Sequence, residues 1–278
     1  MIAENPAPSM DEIWKALIVG VLEQGQRVQC RNNGSYEIIG EQFVLSDITR
    51  VIMGNHIRKF DIRYALAELI WYLSGSNDGE MIKHYAPRYA EFLEEDGTAH
   101  GGYGPRIVDQ VPKIIEHLRE HPNSRRAIVN LWNPETDLNQ HGKKDLPCTL
   151  TWSFYVRLGR IFMVTNMRSN DLWLGTPYDV FCFTSIQQMI ANSLKINFGT
   201  YTHQVGSLHL YEKNWNSAGQ AIWDRDAEVD SKRWIFPCTW EEGTRDLPIV
   251  ETHARHGEKL PDNLSKYQEL YNVLVGGS

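Results

Sequence analysis

The chain predicts an α+β fold in which a large mixed or antiparallel sheet packs against helices. Apolar residues recur at helical spacing in some segments and alternate or run together at strand length in others. The two kinds of segment are mixed without the regular alternation that builds a parallel βαβ array. A turn-like Leu158-Gly159 also joins two strand-like runs at hairpin distance.

The first helix opens at Ser9, with Glu12 in the capping-box position, and Ile13, Trp14, Leu17, Ile18, Val21 and Leu22 form its apolar stripe. Gly25 ends it. Residues 35–45 (SYEIIGEQFVL) read as a strand. A helix follows from about Ile62 to Ser74, closed by Gly75. Another spans about 109–121, before a strand at RRAIVNLW. TLTWSFYV and RIFMVTNMR form the hairpin pair around Leu158-Gly159. Thr176 and Pro177 fit the N-cap and first position of a helix over about 176–195. A strand near 200–210 then leads into a further helix. No repeat, low-complexity linker or charge block divides the chain, so residues 1–278 read as one domain.

Length and composition agree with a globular protein: 278 residues, 42% hydrophobic and 23% charged. No apolar run is long enough to cross a bilayer, and the first residues lack a signal-peptide pattern, so a cytoplasmic protein is expected. The net charge of −7 argues against nucleic acid as a partner, but leaves room for a small anion held by a local arginine cluster. Cys30, Cys148, Cys182 and Cys238 show neither a CxxC pair nor zinc spacing, so free thiols and no metal are expected. Glycine-rich dinucleotide and phosphate loops, HExxH and GxSxG are all absent.

Several polar residues stand where the pattern is otherwise apolar. Taken alone, Pro147-Cys148-Thr149 reads as a buried thiol opening a strand. Arg168-Ser169-Asn170-Asp171 reads as a salt-bridged strand end, and Arg125-Arg126 as a solvated rim. Asp179 has a capping reading, as the fourth residue of Thr176-Pro-Tyr-Asp. Glu68 resists a bland reading. It lies in Ala-Leu-Ala-Glu-Leu-Ile-Trp, where an unpaired carboxylate would be costly, so it is either satisfied by a buried network or functional.

In order along the chain, RYALAELIWYLSG, HGGYG, HPNSRRAIVNLWNP, PCT, NMRSNDLWLGTPYDV and GSLHLY resemble the successive motifs of thymidylate synthases and their hydroxymethylase relatives. The resemblance runs from about Ile13 to Trp223 and does not extend over 226–278. It implies a thymidylate synthase-like fold, dimeric through the sheet, with a pyrimidine nucleoside monophosphate as substrate. The co-substrate it implies is 5,10-methylenetetrahydrofolate. Cys148 matches the nucleophile that adds to C6 of the base. Arg31, Arg168 and Ser169 match phosphate ligands, joined by Arg125 and Arg126 from a second subunit. Tyr103 and Glu68 match groups that order water at the base, and His209 and Tyr211 match sugar ligands. Asn170 falls with the substrate-binding residues, and Asp171 and Gly175 with the folate side. The chemistry is coherent, because C5 of a pyrimidine becomes nucleophilic only after a thiolate adds at C6. Arg168 is the expected cation to lower the thiol pKa.

Two departures from the thymidylate synthase pattern matter most, and the second points to cytosine. Thr149 replaces the usual His after the nucleophile, and Asp179 stands where thymidylate synthases carry an Asn that reads uracil. A carboxylate accepts but does not donate, which suits N4–H and a protonated N3 rather than O4. Asp179 and the phrases NMRSND and VGSLH resemble deoxycytidylate hydroxymethylases. The expected reaction is thus hydroxymethylation at C5 of dCMP. Methylation of dUMP or dCMP, hydroxymethylation of CMP, and a non-catalytic nucleotide-binding protein are the alternatives.

Overall fold

The structure is a computed structural model that describes residues 9–30, 33–138, 140, 142–226 and 232–276. Six strands form one sheet: β1 (Gln26–Cys30), β2 (Asn33–Leu45), β3 (Ala127–Asn130), β4 (Thr149–Arg157), β5 (Arg160–Asp171) and β6 (Asn197–Tyr211). Their order across the sheet is β1-β2-β6-β5-β4-β3, and every neighbouring pair is antiparallel except β5–β6. The mixed sheet is as expected. The β4–β5 hairpin turns through Leu158 (φ 50°) and Gly159 (φ 67°), two successive positive-φ positions that match the twist of the flanking strands.

The helices with a bearing on the site are α1 (Met10–Gln24), α2 (Ile62–Leu73), α3 (Glu80–Tyr85), α4 (Gly104–Ile107), α5 (Val111–Glu120), α6 (Pro134–Asp137), α7 (Gly175–Leu194), α8 (Trp215–Ala221), α9 (Trp240–His256) and α10 (Gln268–Val275). α1 begins at Ser9, whose hydroxyl accepts the Glu12 amide at 3.4 Å. Helix α7 is the crossover that lets β5 and β6 run parallel. It is buried on all sides from Val180 to Ala191, because the sheet lies on one face and α2 and α9 on others. Its glutamines bond neighbouring backbone there: Gln187 donates to the Ile161 and Thr200 carbonyls, although its Oε1 has no partner among the described residues, and Gln188 bonds the backbone of Trp234 and Phe236.

Register makes the two sheet faces explicit. Val129, Trp152, Thr165, His203 and Phe43 lie side by side across five strands and are all buried. The opposite row is Ile128, Ser153, Val164, Thr202 and Val44.

One expected start is corrected. α7 begins at Gly175 with Leu174 as N-cap, and Thr176 does not cap it. The Thr176 hydroxyl instead donates to Asn170 Oδ1 at 2.7 Å and to the Asp171 carbonyl. The amides just ahead of the helix, of Trp173 and Leu174, are taken by Asp171 Oδ1 at 2.8 and 3.1 Å. Asp179 is therefore not part of a capping box.

Candidate active site

A cavity of about 190 Å3 lies where β4 begins, β5 ends and α7 starts. Its wall brings together Cys148, Ser169, Asn170, Asp171, Gly175 and Asp179 from those elements, Glu68 from α2, and Tyr103 from the turn before α4. These eight are residues that the sequence singled out, converging from four separate stretches of chain.

Cys148 is fixed by Arg168. The Arg168 amide donates to the Cys148 carbonyl at 2.8 Å, and the guanidinium donates to the carbonyls of Pro147 (2.9 Å) and Leu146 (3.2 Å). One guanidinium nitrogen is 3.8 Å from Sγ, and the cation lies 5.8 Å from the Trp132 ring. Arg168 acts on the thiol pKa in the expected direction, but burial outweighs it. Burial pushes the thiol up to about 11; Arg168 opposes this, while Asp179, Asp145 and Asp171 add to it. The thiolate therefore needs help beyond Arg168, and neutralising a nearby carboxylate would supply some.

Burial likewise raises Glu68 to about 7, against the hydroxyls of Tyr64 and Tyr72, which favour its charged form. The Tyr64 hydroxyl donates to Glu68 Oε1 at 3.0 Å. Tyr103 hydrogen-bonds Thr149 twice, through its hydroxyl to Oγ1 (2.8 Å) and from the Thr149 amide (3.2 Å). The residue that replaces the expected His thus ties the strand of the nucleophile to the tyrosine.

Asp179 is held by an ordered relay. Tyr201 hydroxyl meets His203 Nδ1 at 2.6 Å, His203 Nε2 meets Asn170 Oδ1 at 3.1 Å, and Asn170 Nδ2 donates to Asp179 Oδ2 at 2.7 Å. Burial lowers His203 to about 3, so it is a neutral ring; with Thr176 it fixes which way the Asn170 amide faces. Burial, then the neighbouring Glu68, push Asp179 well above the usual carboxylate range. Asp171 is raised by burial too, opposed by the Leu174 amide and His209.

Other expected residues stand apart from the cavity wall. His209 pairs with Asp171 across β5 and β6, its carbonyl accepting the Leu172 amide at 2.8 Å, and its ring packs edge-on to Tyr211. Arg125 and Arg126 are exposed at the entry to β3 and do not reach the cavity of their own protomer. Arg31 lies outside the described residues. Conversely, Trp71, Tyr72, Tyr89, Asp145 and Leu146 line the cavity and were not singled out. Asp145 stands three residues before Cys148, but after Lys143-Lys144 it carries no sequence signal of burial. A second, more polar cavity of about 430 Å3 adjoins at Gly102. Its Arg106 is bound to buried Asp137 at 2.7 and 2.9 Å. Among the described residues no His, Cys, Asp and Glu group is placed to hold a metal ion, and no helix is long and apolar enough to cross a membrane.

Comparison with known proteins agrees with this geometry. The thymidylate synthase family model matches residues 12–235. The chain is 29% identical over 219 residues to the thymidylate synthase of Bacillus licheniformis, covering 73% of this chain and 76% of that protein. It is 32% identical over 219 residues to the Bacillus phage phi3T thymidylate synthase, with the same coverage. A deoxyuridylate hydroxymethyltransferase of Pseudomonas phage M6 is 34% identical over 160 residues, 55% of this chain and 45% of that one. The solved thermostable thymidylate synthase A of Bacillus subtilis shares the fold, with a TM-score of 0.69, 24% identity, and coverage of 78% of this chain and 85% of that one. The chain belongs to the thymidylate synthase family, the folate-dependent one-carbon transferases that act at C5 of a pyrimidine nucleotide.

Proposed function

We propose that this protein hydroxymethylates C5 of dCMP, taking the carbon from 5,10-methylenetetrahydrofolate and the hydroxyl from water. Asp179 carries the reading. Once the Cys148 thiolate has added to C6, N3 of cytosine becomes basic and is protonated, and the Asp179 carboxylate accepts from N3–H and N4–H. That pair of bonds is strongest in the covalent adduct, where binding raises rate. Burial raises the pKa of Asp179, so its charged form depends on such donors. Uracil would set O4, an acceptor, against the carboxylate. Asn170 supports the reading by keeping Asp179 Oδ2 as an acceptor at 2.7 Å.

Cys148 is the nucleophile in this account, and Glu68 and Tyr103 order water for proton transfers at the base. Arg31, Arg168 and Ser169 hold the phosphate, with Arg125 and Arg126 reaching over from a partner in a homodimer. Such a cluster suits a dianion, because guanidinium forks match phosphate oxygens. His209 and Tyr211 bind the sugar, and Asp171 and Gly175 border the folate. Gly175 fits that role: a side chain there would crowd Asn170 and Asp179, at 3.2 and 3.3 Å. The whole chain acts as one domain in the cytoplasm. The phage relative's name shows that hydroxymethylation occurs in the family, on deoxyuridylate in that case.

The test is the ratio of kcat/KM for dCMP over dUMP. Each unsatisfied group costs about 1–3 kcal/mol, so wild type should favour dCMP by about a hundredfold or more. Asp179→Asn should lower the dCMP value and raise the dUMP value, since the amide offers O4 a donor. An unchanged ratio in the variant would mean that Asp179 does not read the base.

A further inference from the structure

We propose that Asp145 is a further catalytic residue, the base for the water added to the one-carbon unit, and that the Tyr89 hydroxyl orients that water. The inference rests on the hydroxymethylation reading above. Four carboxylates line the cavity, and three are already engaged. Glu68 takes the Tyr64 hydroxyl, Asp171 takes two backbone amides, and Asp179 takes the Asn170 amide. Among the described residues, Asp145 takes only the amide of Leu146, its chain neighbour. Its carboxylate retains acceptor capacity facing the cavity that also holds the nucleophile.

The fold is built around this placement. A Cβ on Gly101 would stand 2.4 Å from Asp145 Oδ2 and 3.1 Å from the Leu146 carbonyl carbon. Only glycine lets the turn before Tyr103 close over the carboxylate. Tyr89 lines the same cavity with its ring edge-on to Trp71 at 5.3 Å. The ionisable groups that act on its hydroxyl are, in order, Asp145, Glu68, Cys148 and Asp179. Burial, opposed by Arg168, raises Asp145 to about 6, which leaves it largely ionised at neutral pH yet basic enough to take a proton from water.

The step balances. After tetrahydrofolate leaves, C5 carries an exocyclic methylene conjugated to C4, and C6 still carries the Cys148 sulfur. The water oxygen bonds the methylene carbon while its proton passes to Asp145, the methylene π pair shifts to the C4–C5 bond, and the C4=N pair moves onto nitrogen. The nitrogen pair then re-forms C4=N, the C4–C5 pair shifts to C5=C6, and sulfur leaves with the C6–S pair. The proton held by Asp145 then returns to the thiolate.

The experiment supplies wild type, Asp145→Asn and Tyr89→Phe with dCMP, methylenetetrahydrofolate and 2-mercaptoethanol, a thiol that competes with water for the methylene. Products are identified by mass. A general base is worth about a hundredfold or more, so Asp145→Asn should raise the ratio of C5-thioether to hydroxymethyl product at least tenfold. Tyr89→Phe should move it in the same direction by less. A merely structural role would slow both products together. An unchanged ratio, with wild type still forming hydroxymethyl-dCMP, overturns this inference alone. A wild type that forms only methylated nucleotide and dihydrofolate overturns the reading it rests on as well.

Discussion

Glu68 shows how one side chain can be set against its own helix. Ala65, Leu66, Ala67, Leu69 and Ile70 around it are buried, and the same burial lifts its carboxyl from 4.5 to about 7. The native state therefore binds more protons than the unfolded chain within that window. The contribution of Glu68 to stability is most favourable below about pH 4.5, falls as pH rises, and its full cost is present above about 7. Glu68→Gln, which can still accept from Tyr64, should stabilise the protein by up to about 3 kcal/mol at pH 8 and hardly at all at pH 4.5. Turnover should fall about a hundredfold or more. Urea denaturation at the two pH values checks this, and an equal effect at both would contradict it. Glu68 was legible because a carboxylate inside an apolar helical turn is costly. Asp145 was not, because after Lys143-Lys144 it reads as one more solvated charge; only the fold brings Gly101 against it. For the Cys148 thiol, sequence shows its burial and the arginine that opposes it, but not the three carboxylates that the fold gathers beside it.

At the scale of elements, the legible parts were those with local signals. The Leu158-Gly159 hairpin, the Ser9 cap of α1 and Gly75 after α2 all depend on a few adjacent residues, and all stand. The parallel β5–β6 pair was less visible, since nothing within either strand specifies the direction of its neighbour. β1 was missed: QRVQC is short and mostly polar. The last helices were missed although Thr239 and Glu242 form a full capping box, because a proline such as Pro248 argues against a helix in sequence and the family resemblance has ended by then. They matter to the site. Tyr85 of α3 donates to Glu251 of α9 at 3.1 Å, and Arg63 of α2 donates to the Leu274 carbonyl of α10 at 2.6 Å, so the C-terminal segment braces the helix that carries Glu68. On the other side, Asp137, with no exposed side-chain surface, receives Arg106, His100 and the Asn133 amide, which joins the turn of Tyr103 to the segment after β3.

For the whole molecule, the proposed dimer accounts for two features that one protomer leaves open. The row Ile128, Ser153, Val164, Thr202 and Val44 crosses the sheet face opposite the core, with Ile128 41% exposed. Arg125 and Arg126, close in sequence to Ile128, line neither of the two cavities described above. An isologous dimer through this face would place both arginines at a neighbour's phosphate. Mixing Cys148→Ser with Arg126→Ala subunits, each nearly inactive alone, should restore one working site per heterodimer, whereas an active monomer in sedimentation would refute the shared site. All of these readings converge on the reaction itself. Incubating the wild-type protein with 5,10-methylenetetrahydrofolate and dCMP, CMP or dUMP, and identifying products by mass, tests it most directly. The expected main product is 5-hydroxymethyl-dCMP, with no dihydrofolate formed. Turnover of dUMP in preference to dCMP, or a methylated product with stoichiometric dihydrofolate, would contradict it.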